Sequence, residues 1–156
     1  MAETRRGDSG VTLIETLVVL VLVAVAAGIV TLSLPGTAPP RAVAQEADLL
    51  GKRLNLAAER SLTTGQTLRM AWGDGSYGFS VWDGAAWTPA TAQSLAGPHR
   101  IESGLILDDP DGARSGEIRI TADLMPDAEG PRVLRIGNGA LRHAVTFDGA
   151  RASVAP

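Results

Sequence analysis

Residues 10–34 read GVTLIETLVVLVLVAVAAGIVTLSL, and this stretch decides the fold. Between Asp8 and Arg41 the one charged residue is Glu15. As a helix, the 24 residues from Val11 to Leu34 rise ~1.5 Å each and reach ~36 Å, enough to cross a hydrocarbon core of ~30 Å. A polar stretch, residues 1–10, precedes the run and carries Arg5 and Arg6. Cations on that side keep the N-terminal end in the cytoplasm and send the rest across. The later part of the chain is then periplasmic in a bacterium, behind a single-pass span of the inner membrane.

Glu15 is costly there. On insertion scales a carboxylate in a membrane helix costs ~2.5–3.5 kcal/mol. If the chain is cut between Gly10 and Val11, Val11 offers a free α-amino group at the membrane boundary. Glu15 of one subunit could then pair with that amine on a neighbour in a packed helical bundle. Two unit charges 4 Å apart attract by ~4 kcal/mol at an effective dielectric of 20, before desolvation is counted. Removal of a leader is thereby coupled to assembly.

Downstream, Pro35, Gly36, Pro39 and Pro40 interrupt the helix. From Arg41 to Thr64 the pattern is amphipathic. Val43, Ala47, Leu50, Leu54, Ala57, Ala58 and Ser61 share one face, while Asp48, Lys52 and Glu59 face away. Gly51 sits within this pattern at a cost of roughly 1 kcal/mol against alanine, and Gly65 is a natural stop. After Gly65 the period becomes two. Leu68, Met70 and Trp72 alternate with polar or small residues, and so do Tyr77, Phe79 and Val81 beyond a turn at Gly73-Asp74-Gly75. Pro89 to Pro98 reads as a loop. Ile118 and Ile120 mark a further strand. Arg132 to Ile136 and Leu141 to Phe147 flank Asn138-Gly139, which predicts a hairpin with a type I′ turn. Asp148-Gly149 turns into a short last strand.

The predicted fold class is α+β. A long N-terminal helix, half membrane-embedded and half amphipathic, packs on an antiparallel, β-rich C-terminal head. The expected divisions are a leader at 1–10, a transmembrane or filament-core helix at 11–34, a kinked segment with the amphipathic half at 35–65, and a periplasmic head at 66–156.

The stretch Gly10-Val11-Thr12-Leu13-Ile14-Glu15 resembles the start of the type IV pilin-like prepilins. Their leader ends in glycine and is followed by an apolar or aromatic residue and then T-L-I-E. By that likeness Gly10 precedes the cut, Val11 becomes the N-methylated first residue, and Glu15 is the acid used in assembly. Val11 stands where that family usually has phenylalanine. The resemblance implies a prepilin peptidase and N-methyltransferase as processing partner. Residues 54–70, LNLAAERSLTTGQTLRM, resemble the helix-to-strand passage of the type II secretion protein H family, and Tyr77 to Trp87 is similar too. That implies a minor pseudopilin at or near the tip of a pseudopilus, partnered by other minor and major pseudopilins, which helps export folded proteins across the outer membrane. The neighbouring possibility is a type IV minor pilin of the FimT-like kind, acting in pilus biogenesis or DNA uptake.

Other readings stand beside these. Ala24-Val25-Ala26 and Ala42-Val43-Ala44 offer small-x-small sites for an ordinary signal peptidase, but an acid at the start of the apolar run disfavours a plain signal. Trp72, Trp82 and Trp87 are read as packing between sheet and helix, with a subunit contact surface as the alternative. Asp108, Asp109, Asp111 and Gly112 lack the ligand spacing of a calcium loop and read as a solvated turn. His143 falls on an apolar face as a core histidine, and His99 carries no signal.

Composition excludes several classes. There is no cysteine, so no disulfide, thiolate nucleophile or Cys-ligated zinc forms. A net charge of −3 and a C-terminal tail with one arginine, Arg151, give no basic stripe for nucleic acid. The glycines lie in Asp-Gly and Asn-Gly turns rather than a phosphate-binding loop. With no nucleophile motif and no carboxylate pair, the chain is read as a non-enzyme, without metal or cofactor.

Overall fold

The computed structural model describes residues 13–33, 39–126 and 130–156. Two helices, α1 (Leu13–Ser33) and α2 (Pro40–Thr64), come first. Nine strands follow among the described residues: β1 (Leu68–Gly73), β2 (Ser76–Trp82), β3 (Trp87–Pro89), β4 (His99–Arg100), β5 (Ile106–Asp108), β6 (Gly116–Ile120), β7 (Arg132–Gly137), β8 (Arg142–Phe147) and β9 (Ala152–Ala155). The chain divides into two compact units, residues 1–36 and 37–156.

In the first unit α1 is apolar on every side. Its large side chains from Ile14 to Val25 stand exposed, Ile14 at 70% and Leu20 at 69%. A helix greasy all round has no water-facing side and belongs inside lipid or a bundle of like helices. Among the described residues no helix is long and apolar enough to cross a membrane; in α1 the described side chains run only from 14 to 26.

The second unit is the head. Pro39 and Pro40 open α2, with Pro40 in the first turn, where its missing N–H is no loss. Gly65 closes the helix in the left-handed conformation, its N–H bonded to Ser61 O at 2.9 Å. The face predicted from spacing is the buried one: Val43, Ala47, Leu50, Leu54, Ala57, Ala58 and Ser61 are all buried, and Asp48, Lys52 and Glu59 are exposed. Gly51 is buried with them. A Cβ there would meet Val154 Cγ2 at 3.1 Å, so the glycine admits a close approach of β9.

Two antiparallel sheets cover that face. The first runs β3-β2-β1-β6 with β4 also paired to β2; the second runs β5-β7-β8-β9. Leu68, Met70, Tyr77, Phe79, Ile118 and Ile120 point inward from the first, and Leu134, Ile136, Val145 and Phe147 from the second. Their meeting with α2 forms one core. Ser61 ties the end of α2 to the first sheet, donating to Gln66 O at 2.7 Å or Ile120 O at 3.3 Å.

Turn chemistry departs from expectation at one hairpin. Asp74 and Gly75 alone join β1 to β2 with φ of 49° and 68°, which is the type I′ geometry. At Asn138-Gly139 only the glycine has positive φ. Asn138 Oδ1 instead accepts the amides of Ala140 at 3.1 Å and Leu141 at 2.9 Å. That opens a four-residue loop over 138–141 in place of the predicted two-residue turn. The predicted loop after Pro89 also begins later than expected, since Trp87-Thr88-Pro89 pairs with β2 as an edge strand, a position where proline is tolerated.

Candidate functional site

Of the residues expected to serve processing and assembly, Gly10 and Val11 lie outside the described residues. Glu15 lies in the first turn of α1 and its side chain is exposed. The helix N-terminus carries partial positive charge that favours a carboxylate by ~0.3–1 kcal/mol. An acid within a span costs up to ~2.5–3.5 kcal/mol. The dipole offsets the smaller part of such a cost.

The head holds a polar cluster that the sequence reading missed. Glu46, buried on α2, lies 2.7 Å from His99 Nε2 on β4. The His99 ring sits 4.9 Å from the ring of Tyr77. Two turns further along α2, Arg53 lies over Tyr77 and Phe79 at 5.3 and 5.5 Å from their ring centres, and its Nε donates to Ser94 O at 3.0 Å. Burial pushes the Tyr77 phenol up to about 12, Arg53 working against the rise and Glu46 adding to it. Glu46 and Arg53 thus tie the 94–99 segment to α2. One signal was available: Glu46 follows Val43 by three residues and precedes Leu50 by four, on the apolar face.

The tryptophans divide. Trp72 shares the inward face of β1 and packs against the core, closely enough that a Cβ on Gly116 would fall 2.5 Å from its ring. Trp82 and Trp87 are on the opposite face and do not pack between sheet and helix. They are register partners on β2 and β3, with ring centres 5.3 Å apart. Arg69 lies 4.6 Å over the Trp87 ring and is bonded to Glu117 at 3.2 Å.

Asp108 is not part of a solvated turn. It is buried and paired with Arg135 at 3.1 Å, with Arg142 at 3.9 Å. Asp109 does cap a turn, accepting from the amides of Asp111 and Ala113. Among the described residues no His, Asp or Glu cluster is placed to hold a metal ion. His143, on the core side of β8, is half-buried rather than fully enclosed.

Comparison with known proteins places these features. Residues 5–31 match the prokaryotic N-terminal methylation motif. No curated protein sequence matches the chain. The fold is similar to that of the minor pseudopilin EpsH from the Type 2 Secretion System of Vibrio cholerae, at TM-score 0.57 and 17% identity, covering 72% of this chain and 94% of that one. It is similar also to the type IV minor pilin FimU of Pseudomonas aeruginosa, at TM-score 0.54 and 13% identity over 73% of this chain and 88% of that one. A second crystal form of FimU gives 0.52 and 14% over 72% and 91%. The chain thus carries a methylation motif over residues 5–31 and has a fold similar to that of the minor pseudopilin EpsH and the minor pilin FimU.

Proposed function

We propose that the chain is a minor pseudopilin of a type II secretion system, a non-catalytic subunit at or near the tip of the pseudopilus. The observation that carries a filament role is α1: an apolar helix with exposed side chains from 14 to 26, overlapping a methylation motif, with one acid in its first turn. Such a helix is stable only when covered, and Glu15 selects cover that brings a cation. After cleavage between Gly10 and Val11 by a prepilin peptidase, the amine of Val11 on an adjacent subunit meets that need. Methylation of Val11 leaves the amine charged.

In this account the unassembled subunit rests in the inner membrane, with the N-terminus cytoplasmic and the head periplasmic. The Arg5 and Arg6 leader supports that orientation. The secretion reading over the type IV one rests on the likeness of residues 54–70 to the protein H family and on the lack of a basic stripe in the C-terminal tail. A type IV minor pilin remains the second reading, supported by the likeness of the head to FimU.

Deletion of the chain in its host separates the two. Loss of secreted folded proteins with intact surface pili supports the secretion role. Loss of pili or of DNA uptake with normal secretion supports the type IV role.

A further inference from the structure

The face of the first sheet opposite α2 carries an aromatic and cationic ladder that the core of the head does not use. Glu117 bonds Arg69 at 3.2 Å, Arg69 lies over Trp87, and Trp87 leans on Trp82 with 59° between the rings. Trp82 is 39% exposed. Beside it an open cleft of about 410 Å³ is lined by Thr67, Trp82, Trp87, Arg119 and Thr121. Arg119 is the one charged residue in that lining. Its side chain is 59% exposed and reaches Glu117 only at 4.0 Å, the outer limit of an ion pair and worth little in water. Its guanidinium carries five N–H donors, so it can exchange that contact for a better one.

We propose that Trp82, Trp87 and Arg119 form a docking cleft for a neighbouring filament subunit, which enters with a carboxylate beside an apolar side chain. This rests on the filament role proposed above. Three features favour such a partner. Trp and Arg are the residues enriched at interface hot spots. Arg69 and Trp82 fix the Trp87 ring in place beforehand, so little ordering cost falls on binding. The charge left after Glu117 is matched with one of the two arginines is a single positive one, which suits one carboxylate and is too little for a phosphate backbone.

The test uses the full-length chain in its host, with a genetically encoded benzophenone side chain replacing Thr67 at the cleft. The expected result is a light-dependent adduct with a second protein that carries a prepilin methylation motif, joined through a segment holding Asp or Glu. Arg119→Glu is expected to lower its yield about tenfold, and Trp82→Ala to lower it comparably. Arg119 is exposed, so Arg119→Glu should keep its melting temperature, and Trp82→Ala reports independently should it not. An unchanged yield in both variants, an adduct with exported cargo alone, or salt-sensitive binding of a single-stranded oligonucleotide lost in Arg119→Glu would each overturn the proposal. A benzophenone replacing Leu20 on α1 reads filament packing separately. Adducts from that position without any from the cleft overturn the cleft alone; adducts from neither overturn the filament role as well.

Discussion

Asn55 on α2 serves as a strand partner for Ala152 on β9. The Ala152 N–H donates to Asn55 Oδ1 at 2.7 Å, and Asn55 Nδ2 donates back to the Ala152 carbonyl at 3.4 Å. β9 is the edge of its sheet, and one side-chain amide thus satisfies backbone groups that would otherwise face the helix unpaired. Asn55→Ala should destabilise the full-length protein in detergent by about 1–3 kcal/mol in chemical denaturation. Asn55→Asp keeps the shorter bond and should cost less. Equal losses in the two variants would show that the 2.7 Å bond is not the one that matters.

Gly51 is explained by the same strand. Its missing side chain lets Val154 approach, so Gly51→Leu should cost about 1–3 kcal/mol by overpacking despite better helix propensity. Thermal melting of the variant checks this. A stabilised Gly51→Leu would mean that β9 moves aside freely.

Tyr77 is the one tyrosine of the chain, so ultraviolet titration of phenolate reads it alone. In the folded protein its midpoint should lie near pH 12, against about 10 in the urea-unfolded chain. The sign for stability follows. A phenol held protonated by burial contributes stability that is complete below about pH 10 and is lost as pH rises through about 12. A folded-state midpoint at 10 would show that the Glu46, Arg53 and His99 surroundings leave the ring wet.

Three loops share one plan. Asp83-Gly84-Ala85-Ala86, Asn138-Gly139-Ala140-Leu141 and Asp148-Gly149-Ala150-Arg151 each use the first side-chain oxygen to accept the third and fourth amides. The amides of Ala86 and Ala85 hold the Asp83 carboxyl below its ordinary value, and those of Arg151 and Ala150 do the same for Asp148. Their glycines are not equivalent. A Cβ on Gly84 meets open space, whereas one on Gly149 falls 2.5 Å from the Met125 backbone. Gly84→Ala should cost ~1–2 kcal/mol through its positive φ. Gly149→Ala adds a backbone collision and should reach about 3 kcal/mol or more. Equal melting temperatures would contradict the close approach at Met125.

The buried face of α2 was legible because seven residues repeat at helical spacing, and the inward residues of β1, β2 and β6 because they alternate. What was not legible depends on contacts far apart in sequence. Glu46 and His99 are separated by 53 residues, and nothing local at His99 announces its partner. Alternation places Trp82 and Trp72 on opposite faces, yet does not say which face α2 covers. Division of the strands into two sheets is set by pairings such as β1 with β6 and β5 with β7, which no local pattern records. At Asn138-Gly139 the Asn138 side-chain oxygen takes the Ala140 and Leu141 amides while its own N–H donates to Leu141 O at 3.1 Å, a closure that the Asn-Gly pair alone does not distinguish from a type I′ turn.

In the proposed filament role, an amine freed at Val11 offsets the carboxylate of Glu15. N-terminal sequencing and intact mass of the protein extracted from the inner membrane read whether that amine forms. The expected result is a chain beginning at Val11, with a methyl group on its nitrogen. A mature chain beginning at Ala27 or Gln45, as a conventional signal peptidase would leave it, would contradict that role.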